Sequence, residues 1–186
     1  MKWLLRKFDE LLPIELYTIM QLRNEVFVVE QNCVYQDADN KDPLCHHLMG
    51  WKDNKLVAYT RIVPPGVAYT EPSIGRVVTS PSARGSGIGR ELMKKSIEHL
   101  YSLYGINPIK IGAQLYLLKF YTALGFQQTS DIYLEDNIQH VEMVKSLFYF
   151  VEALSRTTFV DCKFKKTQSI ILRLLFTFST LALEIQ

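Results

Sequence analysis

Apolar residues near the start of the chain recur first at alternate positions and then at helical spacing. Residues 3–8 alternate and predict a short strand. Pro13 suits the first turn of a helix. The apolar residues that follow it at helical spacing are Leu16, Ile19, Met20, Val26 and Phe27. This part of the chain is therefore predicted to form a strand and then a long amphipathic helix.

A polar, acid-rich stretch and a pair of apolar runs come next. Residues 30–43 contain Asp37, Asp39 and Asp42 and predict a loop or irregular helix at the surface. Its carboxylates either attract a cationic substrate or form a solvated face, and the sequence pattern does not choose between these two interpretations.

A β-hairpin is predicted after this stretch. The apolar runs at residues 47–51 and 56–63 flank an Asp-Asn pair, which is typical of a hairpin turn.

The middle of the chain combines a strand, a glycine-rich loop and a helix. β-branched residues within 74–79 predict a strand that stops at Ser80 and Pro81. Three glycines follow within residues 84–89. The apolar positions after them share one helical face: Ile88, Leu92, Met93, Ile97, Leu100, Tyr101 and Tyr104.

The remaining pattern predicts further elements up to residue 145. Residues 109–113 predict a buried strand, residues 116–124 a helix that ends at Gly125, and residues 126–132 and 140–145 two closing strands. The order of elements indicates an α/β fold, of mixed α+β type, built on a mixed and largely antiparallel sheet. We predict one domain at residues 1–147 and an apolar C-terminal extension of unknown role at residues 148–186.

Composition narrows the class of protein. Of the 186 residues 48% are hydrophobic and 22% charged, which is typical of a globular chain, and a net charge of +2 disfavours a nucleic-acid partner. Three cysteines without CxxC spacing favour a reducing, cytoplasmic setting.

The C-terminal extension at residues 148–186 is predicted to dock on the domain, to lie on a membrane surface or to be dispensable. Membrane contact is the less favoured interpretation. The apolar run of the extension is shorter than the roughly 20 residues that a membrane span needs, and Arg173 interrupts it.

The glycine-rich loop predicts an anion site. Glycine lets the backbone approach a ligand closely, and the following helix directs free N–H groups and partial positive charge towards it. A diphosphate suits this site, although such loops also serve only as tight turns. The spacing fits neither the phosphate loop of nucleotide hydrolases nor the dinucleotide fingerprint.

Two motifs give the chain a resemblance to a known family. Arg84, Gly85, Ser86, Gly87, Ile88 and Gly89 match the (R/Q)xxGx(G/A) signature of the Gcn5-related N-acetyltransferases (GNAT). Tyr121, Gly125 and Phe126 match their YxxxGF segment. Residues 21–31, 35–39 and 113–114 resemble the ElaA-like branch. The resemblance implies the GNAT acyl-CoA N-acyltransferase fold, with splayed central strands.

The resemblance also implies a reaction and its residues. It implies direct acetyl transfer from acetyl-CoA, as co-substrate, to a primary amine, without a metal. Val77, Val78, Thr79 and Gln114 are expected to contact the pantetheine arm, and residues 84–89 the diphosphate. Tyr121 is expected to be the general acid that protonates the departing thiolate.

The general base and the partners stay open at this stage. Glu30, His47 and His140 are candidates for the base, beside a chain of water molecules. A lone strand histidine is more often structural than catalytic. A non-catalytic acyl-CoA sensor or an interaction module of the same fold is the alternative function. The sequence does not identify the acceptor amine. A homodimer is one of the oligomeric states that it allows.

Overall fold

The computed structural model describes residues 1–146, and the C-terminal extension lies outside this part of the chain. Eight strands and three α-helices form its main elements. The strands are β1 (Lys2–Lys7), β2 (His46–Lys52), β3 (Lys55–Val63), β4 (Ser73–Thr79), β5 (Ile109–Gln114), β6 (Gln127–Gln128), β7 (Tyr133–Glu135) and β8 (Ile138–Lys145). The helices are α1 (Pro13–Arg23), α2 (Ile88–Tyr104) and α3 (Leu118–Thr122).

All eight strands belong to one mixed sheet in the order β1-β2-β3-β4-β5-β8-β6, with β7 also paired to β8. Neighbours are antiparallel except for β4 and β5, which are parallel. The predicted mixed and largely antiparallel sheet is therefore confirmed. Among residues 1–146 no helix is long and apolar enough to cross a membrane.

The helices cover both faces of the sheet. On one face α1 buries Ile19 and Leu22 against Met49, Tyr59 and Val78. On the other face α2 and α3 pack on a larger apolar cluster. Its fully buried members include Leu48, Ala58, Ile62, Leu92, Met93, Leu100, Ile109, Phe126, Val141 and Met143. Successive side chains of β2 and β3 point to opposite faces of the sheet, as the pleat of a strand requires.

Three predicted elements differ from the structure. The first helix continues beyond α1 as a π-helical segment at Asn24–Glu30, which apolar spacing did not indicate. The helix predicted for residues 116–124 is a 3-10 turn at Leu115–Leu117 followed by the short α3. The strand predicted for residues 126–132 is limited to β6. Pairing with β8 is interrupted there because the Ser130 hydroxyl, instead of a strand carbonyl, accepts a hydrogen bond from the Glu142 amide at 2.8 Å.

The prediction of a surface loop for residues 30–43 is wrong for two of its acids. Asp37 and Asp42 are buried, because arginines from three elements surround them. Arg23 lies 2.6 Å from Asp37 and 2.9 Å from Asp42. Arg61 and Arg76 add ion pairs to the same two carboxylates. This buried ion-pair network ties the loop to α1, β3 and β4.

Candidate functional site

A cleft opens where the two parallel strands of the sheet separate. Strands β4 and β5 pair only at Ser73 and Lys110, although β4 stays paired with β3 as far as Thr79 and β5 with β8 as far as Gln114. The resulting cleft has a volume of about 710 Å³, and Val77, Val78 and Thr79 line one of its walls. Backbone groups on the separated edges of β4 and β5 therefore lack a neighbouring strand and can pair with an extended ligand.

A β-bulge at Arg76 accompanies the separation. Two residues of β4, Arg76 and Val77, lie opposite Thr60 of β3, and Arg76 has a left-handed backbone with φ of 50°. A bulge bends its strand and increases the local twist. The Arg76 guanidinium donates to an Asp37 carboxylate oxygen at 2.6 Å, so the buried ion-pair network holds this unfavourable conformation.

The glycine-rich loop lies beside one end of the cleft. Gly85 and Gly87 have φ of 78° and 83°, and the space where their side chains would lie is open. Helix α2 begins directly after Gly87, so its first N–H groups are free for a ligand. Arg84 and Gly89 line the cleft, whereas the side chain of Ile88 is buried in the core and Ser86 donates to the Ala83 carbonyl.

Arg84 and Glu30 form an exposed ion pair at the same end. The two guanidinium nitrogens lie 2.6 and 2.8 Å from the two carboxylate oxygens. The hydrogen bonds from Arg84 hold the pKa of Glu30 below its usual value. A carboxylate held in this way is a weak base, so Glu30 is placed to position Arg84 rather than to accept a proton.

Gln114 lies at the end of β5 and lines the cleft. Its amide exchanges hydrogen bonds of 3.1 and 3.3 Å with the amide of Gln31, which follows the π-helical segment. The Gln31–Gln114 pair connects the segment that follows α1 with strand β5 on the other side of the cleft. An acyl-CoA arm that contacts Gln114 would therefore meet an amide that is already oriented.

Tyr121 reaches the cleft from helix α3. Its ring packs edge-on against Phe120 and Phe126, and only 5% of the residue is exposed. Within residues 1–146 its hydroxyl has no hydrogen-bond partner, yet Tyr121 lines the cleft. Burial raises the pKa of Tyr121 well above its usual value, which keeps the phenol protonated. Such a group can donate a proton but is a poor base.

The two histidines considered as bases occupy different environments. His140 lies on β8 opposite Gln114 and lines the cleft. Its Nδ1 is 2.9 Å from the Ile138 carbonyl, which can only accept a hydrogen bond. Nδ1 therefore carries the proton in the neutral ring, and Nε2 keeps a free lone pair.

His47 is no longer a candidate for the base. It is completely buried, with its two ring nitrogens 2.8 Å from the Tyr59 hydroxyl and 3.1 Å from the Asp42 carbonyl. Burial lowers the pKa of His47, which favours the neutral ring of a structural residue. Strand alternation alone could not show this, because Tyr59 and Asp42, which contact the ring of His47, come from another strand and from the preceding loop.

Comparison with known proteins decides the family. The family model described as an acetyltransferase (GNAT) domain matches residues 17–147. The chain belongs to the GNAT acetyltransferase family. The resemblance of the two motifs is thereby confirmed, and so is the fold with splayed central strands.

Several relatives support the same GNAT assignment. Protein ElaA of Escherichia coli is 40% identical over 141 residues, which cover 75% of this chain and 92% of ElaA. The crystal structure of an acyl-CoA N-acyltransferase from Pseudomonas aeruginosa superposes with a TM-score of 0.75 at 39% identity. The match covers 78% of this chain and 100% of the Pseudomonas chain. The crystal structure of Escherichia coli ElaA has a TM-score of 0.74, with 39% identity and coverage of 78% and 99%.

Motif spacing did not indicate several residues that line this GNAT cleft. Tyr35 and Tyr69 come from loops, and Glu135 and Asp136 come from the hairpin of β7 and β8. The only local signal was the Asp136-Asn137 pair, whose φ values of 49° and 65° suit a tight hairpin turn. That signal predicts the turn but not the wall to which it belongs.

Proposed function

We propose that this chain transfers an acetyl group from acetyl-CoA to a primary amine in one direct step. The separation of β4 from β5 supports this proposal, because it leaves backbone groups for the pantetheine arm between a diphosphate site and a buried tyrosine. The loop at residues 84–89 is assigned to the diphosphate, and Val77, Val78, Thr79 and Gln114 are assigned to the arm. Acetyl is proposed as the acyl group because the matching family model is an acetyltransferase domain.

The proposed chemistry uses two side chains of the cleft. The amine nitrogen attacks the thioester carbonyl, and His140 Nε2 accepts the proton that the nitrogen loses. The C–S bond then breaks, and the Tyr121 hydroxyl donates a proton to the departing thiolate. A positioned base that accepts the proton of the amine and a positioned acid that protonates the thiolate both assist aminolysis of a thioester. The products are the amide and free CoA.

Release of free thiol tests the function. Purified protein is incubated with acetyl-CoA and a panel of primary amines, and thiol is measured against time. We expect release that depends on both the amine and the protein. CoA binding by calorimetry without any turnover would contradict catalysis and favour the acyl-CoA sensor.

Replacing Gly87 with Ala tests the diphosphate site. A methyl group at a left-handed position costs about 1 kcal/mol in the folded state and also intrudes on the cradle. We expect CoA affinity to fall by about tenfold in calorimetry, equivalent to about 1.4 kcal/mol. Gly105→Ala is the matched control, since Gly105 has φ of 76° at the far end of α2. Equal CoA affinity in the two variants would argue against the cradle.

Replacing His140 with Gln tests the base. We expect kcat/KM to fall by roughly tenfold near neutral pH, less than for an enclosed catalytic base, because water can accept the proton in an open cleft. A higher pH should recover part of the loss, since more of the amine is then free in solution. His99→Gln on α2 is the control, because His99 lies outside the cleft. A pH–rate profile identical to that of the wild type would rule out His140 as the base.

A further inference from the structure

The charged side chains that line the cleft are unevenly paired. Four of them are cations: Lys41, Arg61, Arg76 and Arg84. Each forms an ion pair with Glu30 or Asp39. The other two lining carboxylates, Glu135 and Asp136, have no counter-ion within residues 1–146. The two lining carboxylates without an ion pair within residues 1–146 therefore both lie on the hairpin of β7 and β8.

Strand register places Glu135 beside His140. Tyr133 lies opposite His140, and Glu135 lies opposite Ile138. Residues that face each other across antiparallel strands share one side of the sheet, and diagonal neighbours lie about 7–8 Å apart. Glu135 is thus one diagonal step from His140, with the half-buried Ile138 between them. A short aliphatic chain can cover Ile138 and reach both groups.

Two phenol hydroxyls lie close together above Gly112 of β5. A Cβ atom built on Gly112 would be 3.1 Å from the hydroxyl of Tyr69 and 3.2 Å from that of Tyr133. The two oxygens come from a loop and from β7, and they converge over the separated edge of β5. Both can accept hydrogen bonds from N–H groups. A side chain at position 112 would crowd both hydroxyls and shift them by a few tenths of an ångström.

The charge of Glu135 reaches these hydroxyls. The pKa of Tyr69 is raised first by burial and then by Glu142 and Glu135. Burial, followed by Glu135, raises the pKa of Tyr133 to about 12. Glu142 is paired with Lys110 at 2.9 Å, so that pair adds no net charge. Glu135 is therefore the uncompensated negative group at this end.

We propose that the acceptor amine carries a second positive charge, which binds against Glu135 and the hydroxyls of Tyr69 and Tyr133 while the reacting amine lies at His140. The acceptor class is a small diamine with a short aliphatic spacer. Asp136 adds to the attraction from the turn of the hairpin. This inference rests on the proposed acetyl transfer and specifies its substrate.

A matched pair of amines tests the inference. Thiol release from acetyl-CoA is measured at low ionic strength with 1,4-diaminobutane and with 1-aminobutane, which differ in the distal ammonium. We expect kcat/KM to be larger for the diamine by about tenfold, the effect of one favourable ionic contact of about 1.4 kcal/mol. Added salt should reduce the ratio, because screening weakens an exposed contact. We expect 4-aminobutanoate, whose distal group is negative, to react more slowly than 1-aminobutane.

Two variants connect the preference to the named residues. Glu135→Gln should bring the ratio of the two kcat/KM values close to one. Gly112→Ala should lower the ratio as well, because its methyl group crowds both hydroxyls and shifts them from their positions. Glu98→Gln on the exposed side of α2 is the control and should keep the wild-type ratio.

The possible outcomes separate this inference from the function on which it rests. Equal rates for the two amines, or a ratio unchanged by Glu135→Gln, would overturn the diamine specificity and leave acetyl transfer intact. No thiol release with any amine would overturn both.

Discussion

Replacing Tyr121 with Phe is expected to lower kcat by about 10²–10⁴-fold, the usual contribution of a positioned acid or base. The substitution removes one oxygen from a residue whose ring stays packed between Phe120 and Phe126. Without the phenol proton the thiolate must depart unprotonated or wait for water. Because the proposed role of the hydroxyl is in bond cleavage, kcat should carry the loss and acyl-CoA affinity should change little. Single-turnover rates and calorimetry measure the two separately.

The control for Tyr121 is a half-buried tyrosine of the same domain. Tyr101→Phe removes a hydroxyl from α2, outside the cleft, and burial raises the pKa of Tyr101 as well. We expect Tyr101→Phe to keep the wild-type kcat. An unchanged kcat in Tyr121→Phe would refute the acid role. A parallel loss of kcat and CoA affinity would instead assign Tyr121 to packing.

Replacing Arg23 with Leu is expected to cost about 3–5 kcal/mol of unfolding free energy, the usual effect of removing one partner from a buried ion pair. Arg23 is fully buried and donates three hydrogen bonds to Asp37 and Asp42. Burial alone would lower the pKa of Arg23, but Tyr59 and the two carboxylates outweigh it and raise the pKa above its usual value. Urea unfolding measures the loss.

Arg84→Leu provides the contrast for Arg23. The ion pair of Arg84 with Glu30 is exposed, with about two fifths of each side chain accessible. Exposed pairs stabilise a fold by about 0–1 kcal/mol. Similar destabilisation in Arg23→Leu and Arg84→Leu would show that the buried network does not stabilise the domain.

The network also predicts the direction of the acid response. Burial would raise the pKa of Asp39 and of Asp42, but the neighbouring arginines outweigh it and lower both values. Their contribution to stability is therefore present above the pKa of an unfolded aspartate, near 4, and is lost as the pH falls below it. Urea unfolding at several pH values should show that the free energy of unfolding decreases as the pH falls below about 4.

Local patterns predicted a large part of the fold. The amphipathic spacing of α2, the β-branched run of β4 and the Asp-Asn turn between β2 and β3 each depend on neighbours a few positions away. The π-helical segment and the shortened β6 were not predicted. Strand β6 ends near Ser130, whose hydroxyl accepts a hydrogen bond from the amide of Glu142, 12 positions away on β8.

Some residues of the candidate site were likewise indicated by local motifs, whereas others became apparent only in the folded structure. The glycine-rich loop and Tyr121 were indicated by motifs, since spacing within one turn or helix determines how such groups are presented. The motifs did not indicate how to choose among the candidate bases. His47 and His140 look alike in the sequence, and only the packing around them shows that one is enclosed and the other borders the cleft.

By itself the amino-acid sequence predicted most of the strands and helices, an anion loop at residues 84–89 and the family resemblance, because each follows from short-range spacing. The tertiary structure was needed to pair Asp37 with Arg76 across 39 positions and Glu30 with Arg84 across 54. It also placed Glu135 beside His140. Contacts of this kind depend on which strands become neighbours, and residue spacing does not encode that without the folded sheet.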